Sequence, residues 1–292
     1  MKVKKLLAHW AATLGLTPWI YKTFTVATII HPRSLKNSFL YWATPDAEKL
    51  PLPNVWARLL VAGTADVARF NELGRLGFET IRDTLARNGV ELDQLRDVLD
   101  FGCGCGRVLR YWRGCAARIH GTDLNDYLVE ACKAAVPFAS IGKNSLEPKL
   151  AYADESFDLI YALSVFTHLD VDAQMAWLRE FLRTLRPGGI LILTLHGDAY
   201  VSRLGEKQLG DYRGGRPVVL HEDYPGSNIC MALHPPSFVF ETLAQGFEIV
   251  DFVPQGAKGN PVQDLYMLRK QPESAGVTVE RARGELTGRA DC

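Results

Sequence analysis

The run Val98-Leu99-Asp100-Phe101-Gly102-Cys103-Gly104-Cys105-Gly106-Arg107 constrains this chain more than any other stretch. Apolar residues ending in an acid read as a buried strand. Three glycines two apart then force a tight turn before a helix expected to begin near Arg107. Glycine admits positive φ and has no Cβ to hold a ligand off the main chain. Such a turn can offer bare N–H groups to a polar or anionic group at a helix N-terminus. Asp100, at the strand's end, would face the same ligand and favours a positive charge or several donors. The pairing points to a nucleotide-like ligand with an amino-acid tail rather than to a pyrophosphate. A dinucleotide fold is the competing reading, but its G-x-G-x-x-G fingerprint wants glycine where Arg107 stands.

The flanking chain alternates strand and helix signals, the pattern of a parallel sheet covered on both faces. Residues 98–101, 118–121, 138–141, 157–162 and 190–195 read as strands, with helices over 125–135 and 172–185. Residues 64–88 carry Val67, Phe70, Leu73, Leu76, Phe78, Ile81 and Leu85 at helical spacing, and Asn88-Gly89 offers a stop. Arg186-Pro187-Gly188-Gly189 reads as a turn that ends a helix and starts a strand. Residues 196–236 are glycine-rich and polar without a clear period, and a connection that long inside a domain suggests a lid or binding loop. A last helix is expected over 237–244, before closing strands at 247–253 and 264–268. The charged tail 271–292 reads as flexible.

Size and charge narrow the options. The 292 residues suffice for one large α/β domain with an extension. Thirty-three basic and thirty-three acidic residues cancel, so the footprint of a nucleic-acid binder is missing. Six cysteines at irregular spacing suggest neither a disulfide framework nor a zinc knuckle, and the protein reads as cytoplasmic. Lys2, Lys4 and Lys5 precede an apolar, aromatic stretch to Ile30 that His9, Pro18 and Lys22 interrupt. Stable membrane insertion is therefore not expected, while weak interfacial association of the N-terminus stays open.

Over about residues 95–270 the order of signals resembles that of the class I S-adenosylmethionine-dependent methyltransferases. Asp100-Phe101-Gly102-Cys103-Gly104-Cys105-Gly106 is similar to the family's first motif, and Asp123 falls where the family keeps an acid after the second strand. Asp154-Glu155-Ser156-Phe157-Asp158-Leu159-Ile160 resembles the run entering the fourth strand. Ser164-Val165-Phe166-Thr167-His168-Leu169 resembles the segment leaving it, and Leu185-Arg186-Pro187-Gly188-Gly189 the turn before the fifth. The resemblance implies a Rossmann-like, seven-stranded, mostly parallel α/β sheet closed by an antiparallel hairpin. A mainly helical N-terminal extension, residues 1–94, would form a lid or acceptor pocket with a substrate-side insertion at 196–236.

It also implies S-adenosyl-L-methionine as cofactor, held by Asp100, Gly102, Cys103, Gly104, Gly106, Asp123, Leu124, Asn144 and Ser164. Amides of the glycine turn would receive its carboxylate, with Asp100 near its ammonium. Asp123 would accept both ribose hydroxyls or, alternatively, only cap the next helix. Asn144 departs from the acid many relatives carry there, and reads either as an adenine contact or as a turn residue.

Methyl transfer needs alignment, exclusion of water and at most one proton removal. His168 is the first candidate base, its plain alternative being a half-buried histidine bonded to backbone; His196, with Asp198, is the second. His196, Asp198, His221, Glu222, Asp223 and His234 lack metal-ligand spacing, so no metal is expected. No G-x-S-x-G elbow marks a hydrolase. Relatives acting on adenine or amides carry an Asn/Asp-Pro-Pro-aromatic run where this chain has Ser164-Val165-Phe166-Thr167. The expected acceptor is thus a small molecule, methylated on a hydroxyl of a sugar, phenol or secondary metabolite. Trp19, Tyr21, Tyr41, Trp42 and Trp56 are candidate roof residues. The alternatives are an NAD(P)-dependent oxidoreductase, a non-catalytic binder of the same cofactor, and a methyltransferase acting on RNA or protein.

Overall fold

The apolar runs assemble into one seven-stranded sheet in the computed structural model, which describes residues 31–43, 50–223, 226, 229–259 and 261–271. Strands β1 (Asp97–Phe101), β2 (Arg118–Asp123), β3 (Ser140–Lys143), β4 (Phe157–Ala162) and β5 (Leu185–Leu195) run parallel. A separate two-stranded hairpin, β6 (Val218–Leu220) and β7 (Met231–Leu233), follows them. Strands β8 (Phe247–Val253) and β9 (Asp264–Lys270) then complete the large sheet, whose order is β3-β2-β1-β4-β5-β9-β8. Only β9 runs against its neighbours. Every residue of β1 is buried, as a strand covered on both faces requires. Strand order reverses between β1 and β4, the place where open α/β sheets hold ligands.

The helices are α1 (Pro32–Ala43), α2 (Val55–Ala62), α3 (Val67–Arg87), α4 (Asp126–Ala135), α5 (Val171–Thr184), α6 (Glu206–Arg213) and the single turn α7 (Pro236–Phe238). Asn54, Asp66, Asn125 and Asp170 cap α2 to α5 through their side-chain oxygens. On one face of the sheet, Trp177 and Phe181 of α5 pack against Phe101. On the other, Ile81 and Leu85 of α3 join Trp112 and Tyr161. The buried stripe of α3 runs through Phe70, Gly74, Gly77, Ile81 and Leu85, whereas Leu73 and Leu76 are only half-buried. A Cβ on Gly74 would overlap the Arg107 carbonyl, and one on Gly77 would come 2.9 Å from Val108 Cγ2. Helix α3 therefore braces the glycine turn from behind.

Several local expectations are corrected. The helix expected near Arg107 is a single 3₁₀ turn, Leu109–Trp112. Side chains there are tied outward to other segments: Arg107 Nη1 donates to the carbonyls of Leu73 and Gly259, and Tyr111 Oη to that of Asn71. The third strand starts two residues late, with Ser140 paired to His120 and Phe138 left exposed. Arg186-Pro187-Gly188-Gly189 is a bulge inside β5, because Leu185 pairs with Phe157 and Ile190 with Leu159. Arg186 bridges Asp97 and Asp158 at the far edge of the sheet, where Arg118 and then Arg186 hold Asp97 down at about 2.

Residues 196–236 hold a 3₁₀ turn (Asp198–Arg203), α6 and the β6–β7 hairpin, around a small core of Tyr200, Tyr212, Val218 and Leu233. Past α7 the chain continues as a π turn, Val239–Leu243, in place of the expected regular helix. Residues 1–30 and 272–292 lie outside the described residues, and with them the N-terminal membrane contact, Trp19, Tyr21 and nearly all of the tail. Among the described residues no helix is long and apolar enough to cross a membrane.

Candidate functional site

The carboxyl ends of β1 to β4 converge on a cavity of about 630 Å³, within the range that holds a cofactor-sized ligand. Asp100, Asp123, Asn144 and Ser164, one from each strand end, all line it, as do Gly102, Cys103, Gly104, Leu124 and His168. Leu60 and Val61 of α2 also line it, while Tyr41, Trp42 and Trp56 do not, and Trp42 is largely exposed. Gly106 and His196 stand outside the lining.

Asp100 is fully buried and accepts a hydrogen bond from Tyr161 Oη at 3.0 Å, and Tyr161 in turn accepts one from Trp112 Nε1 at 3.1 Å. Burial pushes its carboxyl up to about 7 against the pull of that hydroxyl. A carboxyl in such a place ionises readily only when a cation arrives beside it. Asp123 is oriented by backbone: Oδ2 accepts from the Gly104 N–H at 2.8 Å and Oδ1 from the Asn125 N–H at 2.9 Å. Burial raises its pKa and those amides lower it. Each of its oxygens keeps a lone pair for a ligand hydroxyl. The helix-capping alternative fails, since Asn125 caps α4. Asn144 donates to the Ser145 carbonyl at 3.1 Å, and its Oδ1 is buried with no partner among the described residues.

The glycine turn departs from expectation in one respect. Four of its five amides do not stand open: Gly102 and Cys103 donate to the Thr122 carbonyl at 2.8 and 2.9 Å, Gly104 to Asp123, and Gly106 to the Cys103 carbonyl at 3.0 Å. Positive φ at 102, 104 and 106 curls the turn back over the end of β2, which engages these donors internally. The bare backbone instead makes room. A Cβ on Gly102 would collide with Val165, and one on Gly104 would lie 2.7 Å from Val61 Cγ2.

Gly106 faces α4, where a Cβ would sit 2.5 Å from Val136 Cγ2 and 3.0 Å from Cys132 Sγ. Its place is in the core, not in the ligand site. Gly106→Ala should therefore destabilise the fold by about 2–5 kcal/mol, combining φ strain with overpacking. Thermal melting followed by circular dichroism would show this as a clear drop in Tm.

His168 is half-buried, with Nδ1 2.8 Å from the Cys230 carbonyl. A carbonyl only accepts, so Nδ1 carries the hydrogen and Nε2 keeps its lone pair. Burial lowers the His168 pKa, against that bond, and leaves the ring neutral near pH 7. His196 is buried beside Gln263, whose Nε2 lies 3.3 Å from His196 Nε2. Burial, and secondarily His168, depresses His196 to about 4. Ser164 takes the left-handed conformation, φ 63°, with its N–H donating to Thr194 Oγ1 at 2.7 Å and its Oγ accepting from Gln263 Nε2 at 2.8 Å. Such strain in a non-glycine residue gathers at functional sites. Gln263 carried no sequence signal, because it precedes a strand at the far end of the chain and belongs to no motif. Among the described residues no group of three or more His, Cys, Asp or Glu side chains could hold a metal ion.

The profile of a family described as a methyltransferase domain matches residues 99–193, the stretch from β1 to β5 that supplies most of the cavity wall. Residues 99–193 form a methyltransferase domain of that family. Over 99 residues the chain is 33% identical to a protein of Mycolicibacterium smegmatis described as a probable S-adenosylmethionine-dependent methyltransferase, covering 34% of this chain and 37% of that protein. Over 117 residues it is 36% identical to trans-aconitate 2-methyltransferase of Azoarcus sp., covering 39% and 44%. The chain thus spans less than half the length of either curated relative. A crystal structure of a Methanosarcina mazei S-adenosylmethionine-dependent methyltransferase shares the fold with a TM-score of 0.50 and 20% identity, covering 65% of this chain and 98% of that one. The oxidoreductase alternative gains nothing here. The one Tyr-x-x-x-Lys spacing near the site, Tyr266 to Lys270, lies on β9, where Lys270 Nζ donates to the Leu185 carbonyl.

Proposed function

We propose that this methyltransferase domain transfers a methyl group to a hydroxyl oxygen of a small molecule, such as a sugar, phenol or secondary metabolite. The observation that carries the proposal is the convergence of a buried acid, a second acid held by two amides, and a neutral histidine on one cavity. The cofactor supplies an activated methyl group on a sulfonium. Asp100 would oppose its ammonium, Asp123 would accept the ribose hydroxyls, and the orphaned Oδ1 of Asn144 would meet the adenine amino group. Gly102 and Gly104 let Val165 and Val61 pack close against the turn, and Leu60, Val61 and Leu124 give the cavity apolar lining. Helix α2, part of the N-terminal extension, would exclude water as a roof, with the 196–236 segment on the acceptor side. A reduced, cytoplasmic setting belongs to the same proposal and rests on the irregular cysteine spacing.

A hydroxyl acceptor is favoured over a carboxylate, although the Azoarcus relative is named for the carboxylate trans-aconitate. Among the described lining residues the one permanent cation is Arg107, and its Nη1 serves the carbonyls of Leu73 and Gly259. A neutral acceptor meets His168 Nε2 as base instead. His168→Ala is expected to lower kcat about a hundredfold or more, with little change in affinity for S-adenosylhomocysteine. Because burial lowers the His168 pKa, the acid limb of the kcat profile should lie below the ordinary histidine range. Methyl transfer measured across a panel of hydroxylated acceptors tests both points, and an unchanged kcat in the variant removes His168 as base.

A further inference from the structure

Resting on the cofactor reading above, we infer that Gln263 sets Ser164 as the hydroxyl donor for the carboxylate of the cofactor's methionine end. Four of the turn's five amides are already engaged, those of Gly102, Cys103, Gly104 and Gly106, and the fifth belongs to Cys105, which is outside the cavity lining. The carboxylate needs a different donor close to Gly102. Ser164 lies there: it lines the cavity, and the next residue, Val165, packs where a Cβ of Gly102 would be.

A serine hydroxyl can donate or accept, and its surroundings choose. Gln263 Nε2 gives one hydrogen to Ser164 Oγ at 2.8 Å and directs the other at His196 Nε2, 3.3 Å away. The Gln263 side chain is buried, so water does not compete for these bonds. With a lone pair of Oγ occupied, the Ser164 hydrogen must find an acceptor elsewhere, and the side chain lines the cavity. The backbone adds a second restraint, because the Ser164 N–H is fixed to Thr194 Oγ1 and φ is held at 63°. In this orientation His196 Nε2 accepts the second Gln263 hydrogen, which places the His196 hydrogen on Nδ1. His196, expected from sequence as a second base, thus acts as a positioning residue through Gln263, and Gln263 as a positioning residue through Ser164.

The experiment is calorimetric titration of the full chain with S-adenosylhomocysteine and with 5′-methylthioadenosine, which lacks the amino-acid end. In Gln263→Glu the new carboxylate has no hydrogen to give and turns the Ser164 hydroxyl away from the cavity. Affinity for S-adenosylhomocysteine should then fall about tenfold or more, while 5′-methylthioadenosine binding stays within about twofold. Ser164→Ala should show the same split, and the double variant should be no weaker than the worse single one. Should Gln263→Glu fail to fold, Ser164→Ala carries the test alone. An unchanged S-adenosylhomocysteine affinity, an equal loss for both ligands, or full additivity in the double variant overturns the inference. A wild-type chain that binds neither ligand overturns the cofactor reading beneath it instead.

Discussion

Asp123→Ala is expected to weaken S-adenosylhomocysteine binding by roughly 1–3 kcal/mol, about fivefold to more than a hundredfold. Two charge-assisted bonds to ribose hydroxyls would be lost together. The substitution also releases the Gly104 and Asn125 amides, so the turn loses its tie to the end of β2. Asp123→Asn should fall between wild type and alanine, because an amide keeps one oxygen acceptor and gives up the charge. Calorimetry on the three proteins, with circular dichroism to confirm folding, measures the series. Equal affinities across it would remove Asp123 from the ribose.

The second large effect belongs to Asp100 and depends on pH. Without ligand its carboxyl is pushed by burial to about 7, far above the ordinary carboxylate range. Between about pH 4 and pH 7 the folded chain therefore holds a proton that the unfolded chain has released, and stability falls as pH rises through that window. A bound ammonium reverses the balance by favouring the ionised carboxylate. At pH 6, binding should release nearly one proton, and affinity should rise about tenfold per pH unit up to about pH 7 before levelling. Asp100→Asn should bind weakly with no such slope, losing roughly 2 kcal/mol or more at pH 8 for want of the buried charge partner. Titrations in buffers of different ionisation enthalpy count the proton directly. A wild-type affinity independent of pH from 5 to 7 would sink the assignment.

Much of this architecture could be read from residue order, and the reasons are specific. Strand β1 is buried on both faces, so its apolar run ending at Asp100 has no polar interruption to blur it. Strand β4, nearly all buried, was placed to the residue for the same reason, and the half-exposed edge strand β8 by its run between Gly246 and Pro254. The cavity wall at Asp100, Gly102, Cys103, Gly104, Asp123, Leu124, Asn144, Ser164 and His168 followed from the motifs, since parallel strands deliver their ends to one edge. What escaped depended on three-dimensional closure. Spacing places the glycines but not the Thr122 carbonyl that takes their amides. His196 does leave β5 on the expected edge, yet it stands outside the cavity lining and meets Gln263 instead. Hairpin β6–β7 uses strands of three residues, too short for a period to register.

The bond pair between Thr80 and Lys258 joins positions 178 apart in the chain. Beside it, Gly259 presses on Leu73 and receives Arg107, so the loop ahead of Gln263 is clamped from the N-terminal side. During synthesis the parallel strands leave the ribosome well before this loop does. On the proposed cofactor placement the methionine end of the site is finished last, and a nascent chain halted before residue 254 lacks the clasp that completes it.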